Sequence, residues 1–389
     1  MALDAASGKK LWSYQTVHHD LWDYDIAAEP LLFKWHGTVP AVAVTTKTGM
    51  IFILNRLTGE LLSPVSEIPA LRSDVAGEIA SPTQPISRLP TLSPQRFTPR
   101  PPGLGTPDGD RECTAMLGGL RYEGIFTPPS IKGTLLFPGS LGGVNWGSAA
   151  FDPETGVLYA NTNRLPFEVR LIPRALVTAQ LIAHTPPWYY GLGSALLLSG
   201  GLTWWLGGSR FNRSWLLGLG AGIIVLGIVM ESHPFVEGGN KAHFGVELSE
   251  QRGTPFWLYR KPLVDAQGLP CVAAPWGAMT AVNLERGEKL FEQPVGTLLA
   301  GRSTGTVGLG GPVVTKGGLV FTAASREPLL RAFNKKTGQQ LWAGTLPVPA
   351  QATPMIYSSG GREYVVVAAG GHGTFGTSTG DTVIAFALP

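Results

Sequence analysis

Along most of the chain the apolar residues fall in short runs separated by polar turn residues, not in stripes of helical period. "AVAVTTKTGMIFIL" (Ala41–Leu54), "GTLLFPG" (Gly133–Gly139), "GGLVFTAAS" (Gly317–Ser325) and "EYVVVAAGG" (Glu363–Gly371) each read as strand material bounded by turn residues. Between them one short pattern recurs. It is seen in "ALDAASGKKLW" (Ala2–Trp12), "AVNLERGEKLF" (Ala281–Phe291) and "AFNKKTGQQLW" (Ala332–Trp342). Looser copies are "ILNRLTGELL" (Ile53–Leu62) and "AFDPETGVLY" (Ala150–Tyr159). The shared form is an apolar residue, Asp or Asn, a few polar residues, Gly, and then a large apolar residue. Asp/Asn and Gly tolerate the dihedrals of a tight turn between strands, and the terminal aromatic is placed to cover the next layer. The pattern predicts an all-β array of repeated sheets, a propeller. The competing architecture is a sandwich whose turns coincide.

Two kinds of segment break the pattern. Ser81–Asp110 is Pro-rich and is expected to run over the surface. "WYYGLGSALLLSGGLTWWLGG" (Trp188–Gly208) and "SWLLGLGAGIIVLGIVM" (Ser214–Met230) carry no charge and approach the length of a bilayer-crossing helix. The loop between them holds Arg210 and Arg213, which would place it on the cytoplasmic side and both flanking β regions on the periplasmic side. The competing reading is a helical hairpin buried in a soluble protein, which the lack of a polar face disfavours. The predicted organisation is therefore a β region at about 1–174, an insert with a transmembrane hairpin at about 175–245, and a second β region at about 246–389.

Charge narrows the field of partners. With 30 Lys+Arg against 27 Asp+Glu and no basic run, the chain shows no footprint for nucleic acid. Cys113 and Cys271 are the only cysteines and form neither a CxxC nor a CxxCH motif, leaving a remote disulfide or two free thiols. No signal peptide precedes "ALDAASGKKLW", which reads as the middle of a fold, so the chain is either cytoplasmic or lacks its true beginning.

The densest chemistry lies in "TVHHDLWDYD" (Thr16–Asp25). That stretch and several others resemble the pyrroloquinoline-quinone (PQQ) dehydrogenases, specifically the membrane-bound glucose dehydrogenase branch. The others are "TKTGMIFILNRLTGE" (Thr46–Glu60), "LRYEGIFTPPSIKGTLLFPGSLGGVNWGS" (Leu120–Ser148), "LPFEVRLIPR" (Leu165–Arg174), "GLPCVAAPWGAMTAVNL" (Gly268–Leu284) and "QATPMIYSSGGREYVVVAAGGHGTFGTSTGD" (Gln351–Asp381). The resemblance implies an eight-bladed propeller of four-stranded blades. This chain would be its C-terminal part, with about four to five blades and the hydrophobic hairpin inserted where the family has a polar loop.

For function, the resemblance implies oxidation of a sugar or polyol hydroxyl, glucose to gluconolactone first, with PQQ and Ca²⁺ or Mg²⁺ as cofactors. Electrons would pass to ubiquinone in the bacterial inner membrane, with the propeller facing the periplasm. The alternatives are a quinate or alcohol dehydrogenase, or a catalytically inactive propeller scaffold. The catalytic base would be Asp20, with Asp23 and Asp25 as turn or blade-contact residues. Lys47 would be the cation beside the quinone, with Asn145 and Trp146 against the cofactor and His372 near the substrate. His18 and His19 default to packing, as do Trp22 and Tyr24. The main metal ligands would lie upstream of this sequence.

Overall fold

Asp4, Asn55, Asp152, Asn283 and Asn334, the polar residues of the five repeats, open five versions of the same turn. The computed structural model describes residues 1–176 and 245–387. In each copy the Asp or Asn Oδ1 accepts a backbone N–H two or three residues on: Ser7, Leu57, Glu154, Arg286 and Lys336, at 2.8–3.1 Å. Four residues after it stands a glycine in the left-handed region, φ +64° to +80°, which a Cβ would strain. In two cases the aromatic that ends one repeat docks on the glycine of another. A Cβ on Gly59 would lie 2.7 Å from the Trp12 ring, and one on Gly338 would lie 2.6 Å from the Phe291 ring. Trp12 Nε1 completes the first contact by donating to the Arg56 carbonyl at 3.0 Å.

The chain divides into two compact units, the larger containing Met1–Val169 and Lys261–Pro389. In that unit antiparallel sheets stack face to face. The first sheet has the strands Leu31–Trp35, Val39–Thr45 and Ile51–Asn55. Ala43, Ile51 and Ile53 from it meet Leu158, Ala160, Val282 and Leu284 in one core. Those partners belong to a four-stranded sheet ordered Glu288–Pro294, Gly277–Asn283, Val157–Asn163, Ala149–Asp152. Its other face, with Tyr159, Met279 and Ala281, packs on Val320 and Phe333. These come from the sheet Val313–Val314, Leu319–Thr322, Leu329–Asn334, Gln340–Thr345. Ala323, Leu330 and Leu346 then meet Val367 and Ala369 of the sheet Met355–Ser359, Arg362–Ala369, Thr382–Ala387. The far face of this last sheet leaves Met355, Tyr357 and Val383 exposed. Sheets stacked in this way, each with two apolar faces, are blades and not the two layers of a sandwich.

The second sheet is closed by strands from distant parts of the sequence, with Val157 opposite Asn283 and Asn163 opposite Gly277. The intervening segment includes Phe167–Pro173, which pairs with Thr134–Leu136 through Phe167–Leu136 and Val169–Thr134. The smaller unit holds the residues from Arg170, and its described part includes a hairpin pairing Glu247 with Arg260 and Glu250 with Trp257.

The Pro-rich segment is not the surface excursion its composition suggests. Leu92 and Ser93 are fully buried, the first within the core between the first two sheets. Further on, the buried Arg100 guanidinium donates to Asp265 at 2.8 Å, to Asp110 at 3.1 Å and to the Leu269 carbonyl at 3.3 Å. The helix Pro107–Leu117, capped by Thr106 and begun by Pro107, packs Gly109 against Asp265 and carries Cys113 into a disulfide with Cys271. The two cysteines left open by the sequence are thus a pair 158 residues apart, in a secondary core with Phe137, Leu263 and Trp276. Among the described residues no helix is long and apolar enough to cross a membrane. The expected hairpin, at about 188–208 and 214–230, lies outside the described residues.

Replacing Gly59 by alanine tests the aromatic-on-glycine contact. The left-handed backbone costs about 1–2 kcal/mol and the overlap with Trp12 about 1–3 kcal/mol more. Gly59→Ala should lower the urea midpoint correspondingly, whereas Gly77→Ala, also at positive φ but with nothing near its Cβ position, should carry only the backbone part.

Candidate functional site

The segment from Thr16 to Asp25 has no regular secondary structure, and side chains hold it in place. Gln84, fully buried, brackets His18: it accepts from the His18 N–H at 2.8 Å and donates to the His18 carbonyl at 2.6 Å. His18 Nε2 lies 3.1 Å from Glu67. Farther along, Trp22 Nε1 donates to the Thr127 carbonyl at 2.8 Å and the Tyr24 hydroxyl to Ile125 at 3.4 Å, while both rings pack on Phe126. Trp22 and Tyr24 are the packing residues the sequence suggested, and between them Asp23 is held at φ +64°; His19 stands at φ +44°. Asp tolerates this region through its short polar side chain, but two non-glycine residues there within five positions mark stored strain.

Lys47 approaches from the tip of a hairpin. The turn "TTKTG" joins Val39–Thr45 to Ile51–Asn55. It is closed by Thr46 Oγ1 to Thr48 Oγ1 at 2.6 Å and by Gly49 N–H to the Thr46 carbonyl at 2.9 Å. A turn lysine is ordinarily exposed; this one is buried. The cause is the loop "LGGVNWGS", whose backbone lies directly on it. Gly143 N–H donates to the Lys47 carbonyl at 2.6 Å, and a Cβ on Gly142 would stand 2.6 Å from the Lys47 Cβ. Only glycine permits that approach. The Lys47 ammonium then donates to the Asp23 carbonyl at 3.0 Å and to Asp25 Oδ1, with Asp23 Oδ2 at 3.4 Å.

The structure thus joins Lys47 to the acidic segment through Asp23 and Asp25, which the sequence reading had set aside as turn or blade contacts. Asp23 lies in irregular chain with a left-handed backbone, and both carboxylates face the lysine. Asp20 has a different setting. Its Oδ1 accepts the Trp22 N–H at 2.9 Å, an Asx-turn arrangement. Although the residue is exposed, partial desolvation by its surroundings is the largest influence on its carboxyl and raises it above the ordinary value. The Trp22 and Tyr24 N–H groups oppose the rise, and the neighbouring Asp23 and Asp25 charges add to it.

The remaining predicted residues are dispersed in role. Asn145 directs its amide inward, Nδ2 to the Leu141 carbonyl at 2.7 Å, and accepts the Trp146 N–H at 2.8 Å, so it braces its own loop. Trp146 is 72% exposed, an uncovered indole beside that brace. His372 opens the short turn Gly373–Phe375. Its N–H donates to Thr377 Oγ1 at 2.7 Å, its ring lies 4.4 Å from Phe375, and its buried Nδ1 has no partner. Among the described residues no group of three or more His, Cys, Asp or Glu side chains is arranged for a metal ion. A cavity of about 460 Å³ lined by Thr155, Tyr159, Arg286 and Lys335 shares no residue with the cluster.

A model for the β-propeller domain of PQQ glucose/ethanol/alcohol dehydrogenases matches residues 1–186 and 227–365. The quinoprotein glucose dehydrogenase of Escherichia coli (strain K12) is 36% identical over 402 residues, covering 100% of this chain and 44% of that protein. The quinate/shikimate dehydrogenase (quinone) of Acinetobacter baylyi is 35% identical over 408 residues, covering 100% and 43%. A solved europium-containing methanol dehydrogenase shares the fold with a TM-score of 0.50 at 19% identity, over 95% of this chain and 44% of that one. The chain therefore spans less than half the length of these relatives.

The raised Asp20 carboxyl fixes a sign for stability. Above the ordinary value of 3.8 the folded state retains a proton that the unfolded state has lost. The contribution of Asp20 therefore falls as pH rises from there through its folded pKa. Asp20→Asn keeps the Oδ1 acceptor and removes the titration. Urea unfolding at pH points from about 3.5 to 6 should show the variant gaining on wild type as pH rises; a constant difference across the series would count against this environment.

Proposed function

We propose, from the premise that this chain belongs to the PQQ-dependent glucose/ethanol/alcohol dehydrogenase β-propeller family, that it is part of a quinoprotein that oxidises a sugar or polyol hydroxyl, with glucose to gluconolactone the first reaction to test. One observation carries the reading. A buried lysine meets a strained, carboxylate-rich segment beside a glycine loop that ends in an exposed tryptophan, an arrangement that blade packing does not call for.

These residues suit a flat, anionic quinone. Lys47 offers an ammonium, Gly142 and Gly143 leave room without side chains, and Trp146 offers an aromatic wall. Asp20, Asp23 and Asp25 outnumber Lys47 in charge, so a bound Ca²⁺ or Mg²⁺ with ligands from outside the described residues would restore the balance. PQQ, when bound, supplies the two-electron acceptor.

The chain's own part is to take the hydroxyl proton and hold the substrate. We assign the proton to Asp20, whose Oδ1 is oriented by the Trp22 N–H and whose carboxyl pKa is raised by partial desolvation. Asp23, whose carboxylate faces Lys47, is the second reading. His372, with an unpartnered ring nitrogen, suits a substrate hydroxyl. Asn145 would act only through the loop it braces.

The propeller would be completed to eight blades by sequence beyond this chain, whose last sheet leaves an apolar face uncovered. The 175–245 insert would anchor it in the inner membrane, with ubiquinone as electron acceptor. A disulfide between Cys113 and Cys271 supports an oxidising compartment such as the periplasm. Identities of 36% and 35% to glucose and quinate enzymes leave the choice between a sugar and a cyclic polyol to experiment.

That experiment follows dye reduction with glucose, quinate and ethanol after loading PQQ and Mg²⁺ or Ca²⁺. It uses this chain alone and this chain fused to the upstream portion of a relative. Turnover of glucose or quinate is expected, with Asp20→Asn lowering kcat by about 10²- to 10⁴-fold and Asp23→Asn by far less. No turnover of any substrate in either form would overturn the reading, and the opposite ranking of the two variants would move the base to Asp23.

A further inference from the structure

Lys47 and its carboxylate partners differ sharply in exposure. The Lys47 side chain is 8% exposed, whereas that of Asp25 is 57% and that of Asp23 48%. The lysine stem cannot move far. Its carbonyl is bound by the Gly143 N–H, and Gly142 lies so close that a Cβ there would stand 2.6 Å from both its Cβ and its Cγ. Only the end of the side chain retains a choice of direction, and the ammonium has three protons to place. One goes to the Asp23 carbonyl at 3.0 Å, a backbone group whose position Trp22 and Tyr24 fix from either side. The Asp23 carboxylate is ion-paired with the ammonium at 3.4 Å. Asp25 Oδ1 makes the close contact.

We propose that Asp25 is a positioning residue for Lys47: from the solvent side it holds the buried ammonium in the direction in which it meets the cofactor. This rests on the reading of Lys47 as the cation beside PQQ. Asp25 itself contributes little to packing, since more than half of its side chain is in water. Its substitution should therefore alter Lys47 without opening the core. An exposed carboxylate is worth little as a stability contact, so its value here lies in aim and not in folding energy.

The test reads Lys47 directly and the cofactor separately. The purified chain and its Asp25→Asn, Asp25→Glu and Lys47→Gln variants are treated with an amine-reactive succinimidyl ester at one pH, and acylation of the Lys47 peptide is timed by mass spectrometry. The same proteins are titrated with PQQ by quenching of tryptophan fluorescence. Asp25→Asn should speed Lys47 acylation and weaken PQQ binding, each by about two- to fivefold. Asp25→Glu, which keeps the charge, should lie between the variant and wild type in both. Wild-type PQQ affinity in Asp25→Asn, with Lys47→Gln weakened, would overturn the positioning role and leave the cofactor reading standing. Equal PQQ titrations for Lys47→Gln and wild type, including no binding by either, would overturn the cofactor reading and the positioning role together.

Discussion

The contact on which this fold rests is an aromatic ring lying on a glycine. Trp12 on Gly59 and Phe291 on Gly338 each lock one strand-turn-strand unit to another, and the glycine is needed twice over: for the left-handed turn and for the missing Cβ. Each blade is only three or four strands wide and has two apolar faces, which it cannot bury without neighbours. Burial of Ala43, Ile51 and Ile53 against Leu158, Ala160 and Val282, and of Tyr159 and Met279 against Val320 and Phe333, supplies the bulk of the hydrophobic gain. That gain is non-directional. The ring-on-glycine docking, with the Trp12 indole donating to Arg56, adds the registration that lets the next blade land in one place.

The candidate site depends on that registration at one remove. Lys47 stands at the tip of a hairpin in the first sheet, while the glycine loop that covers it leads into the second sheet at Ala149. The two sheets share a core that contains Val144, a residue of the loop itself, so packing and site are fixed by the same contact surface. Ser93 from the Pro-rich segment is wedged against Gly49 and Gly143. That segment could not have served as a surface strap and done so. Its burial locks the site's two glycine turns together.

Much of the architecture could be read from residue order because the repeats obey local rules. Asp or Asn followed by Gly at a fixed offset has few conformations to choose from, and all five copies adopt the same one. The site was less legible. Lys47, Trp146 and the segment His18–Asp25 could be named, but sequence spacing cannot say which of three aspartates faces a lysine more than twenty positions away. That depends on a left-handed residue at Asp23 and on two aromatic anchors pointing the opposite way. Within "LWDYD" Trp22 and Tyr24 turn inward and Asp23 and Asp25 stay exposed, an order set by the anchors and not by strand pairing. The burial of Leu92, Ser93 and Arg100 within Ser81–Asp110 was hidden for a different reason. Proline marks the absence of regular structure, which is not the same as exposure, and Arg100 is buried only because Asp265 and Asp110 meet it there.

Strain and charge occur in the same few residues. His19 and Asp23 hold unfavourable backbone conformations, and Asp20, Asp23 and Asp25 crowd like charges, within a stretch that no strand pairing stabilises. Conformations of this kind persist only where the surroundings over-determine them. Here the determinants are identifiable: Gln84 on both sides of the His18 backbone, Thr127 on the Trp22 indole, Ile125 on the Tyr24 hydroxyl, and Phe126 between the two rings. None of these partners belongs to the repeat. The blades supply position, and residues 84 and 125–127, from outside the blade sheets described above, supply the constraint that turns a loop of aspartates toward one lysine. A scaffold built only to stack sheets would need the first and not the second.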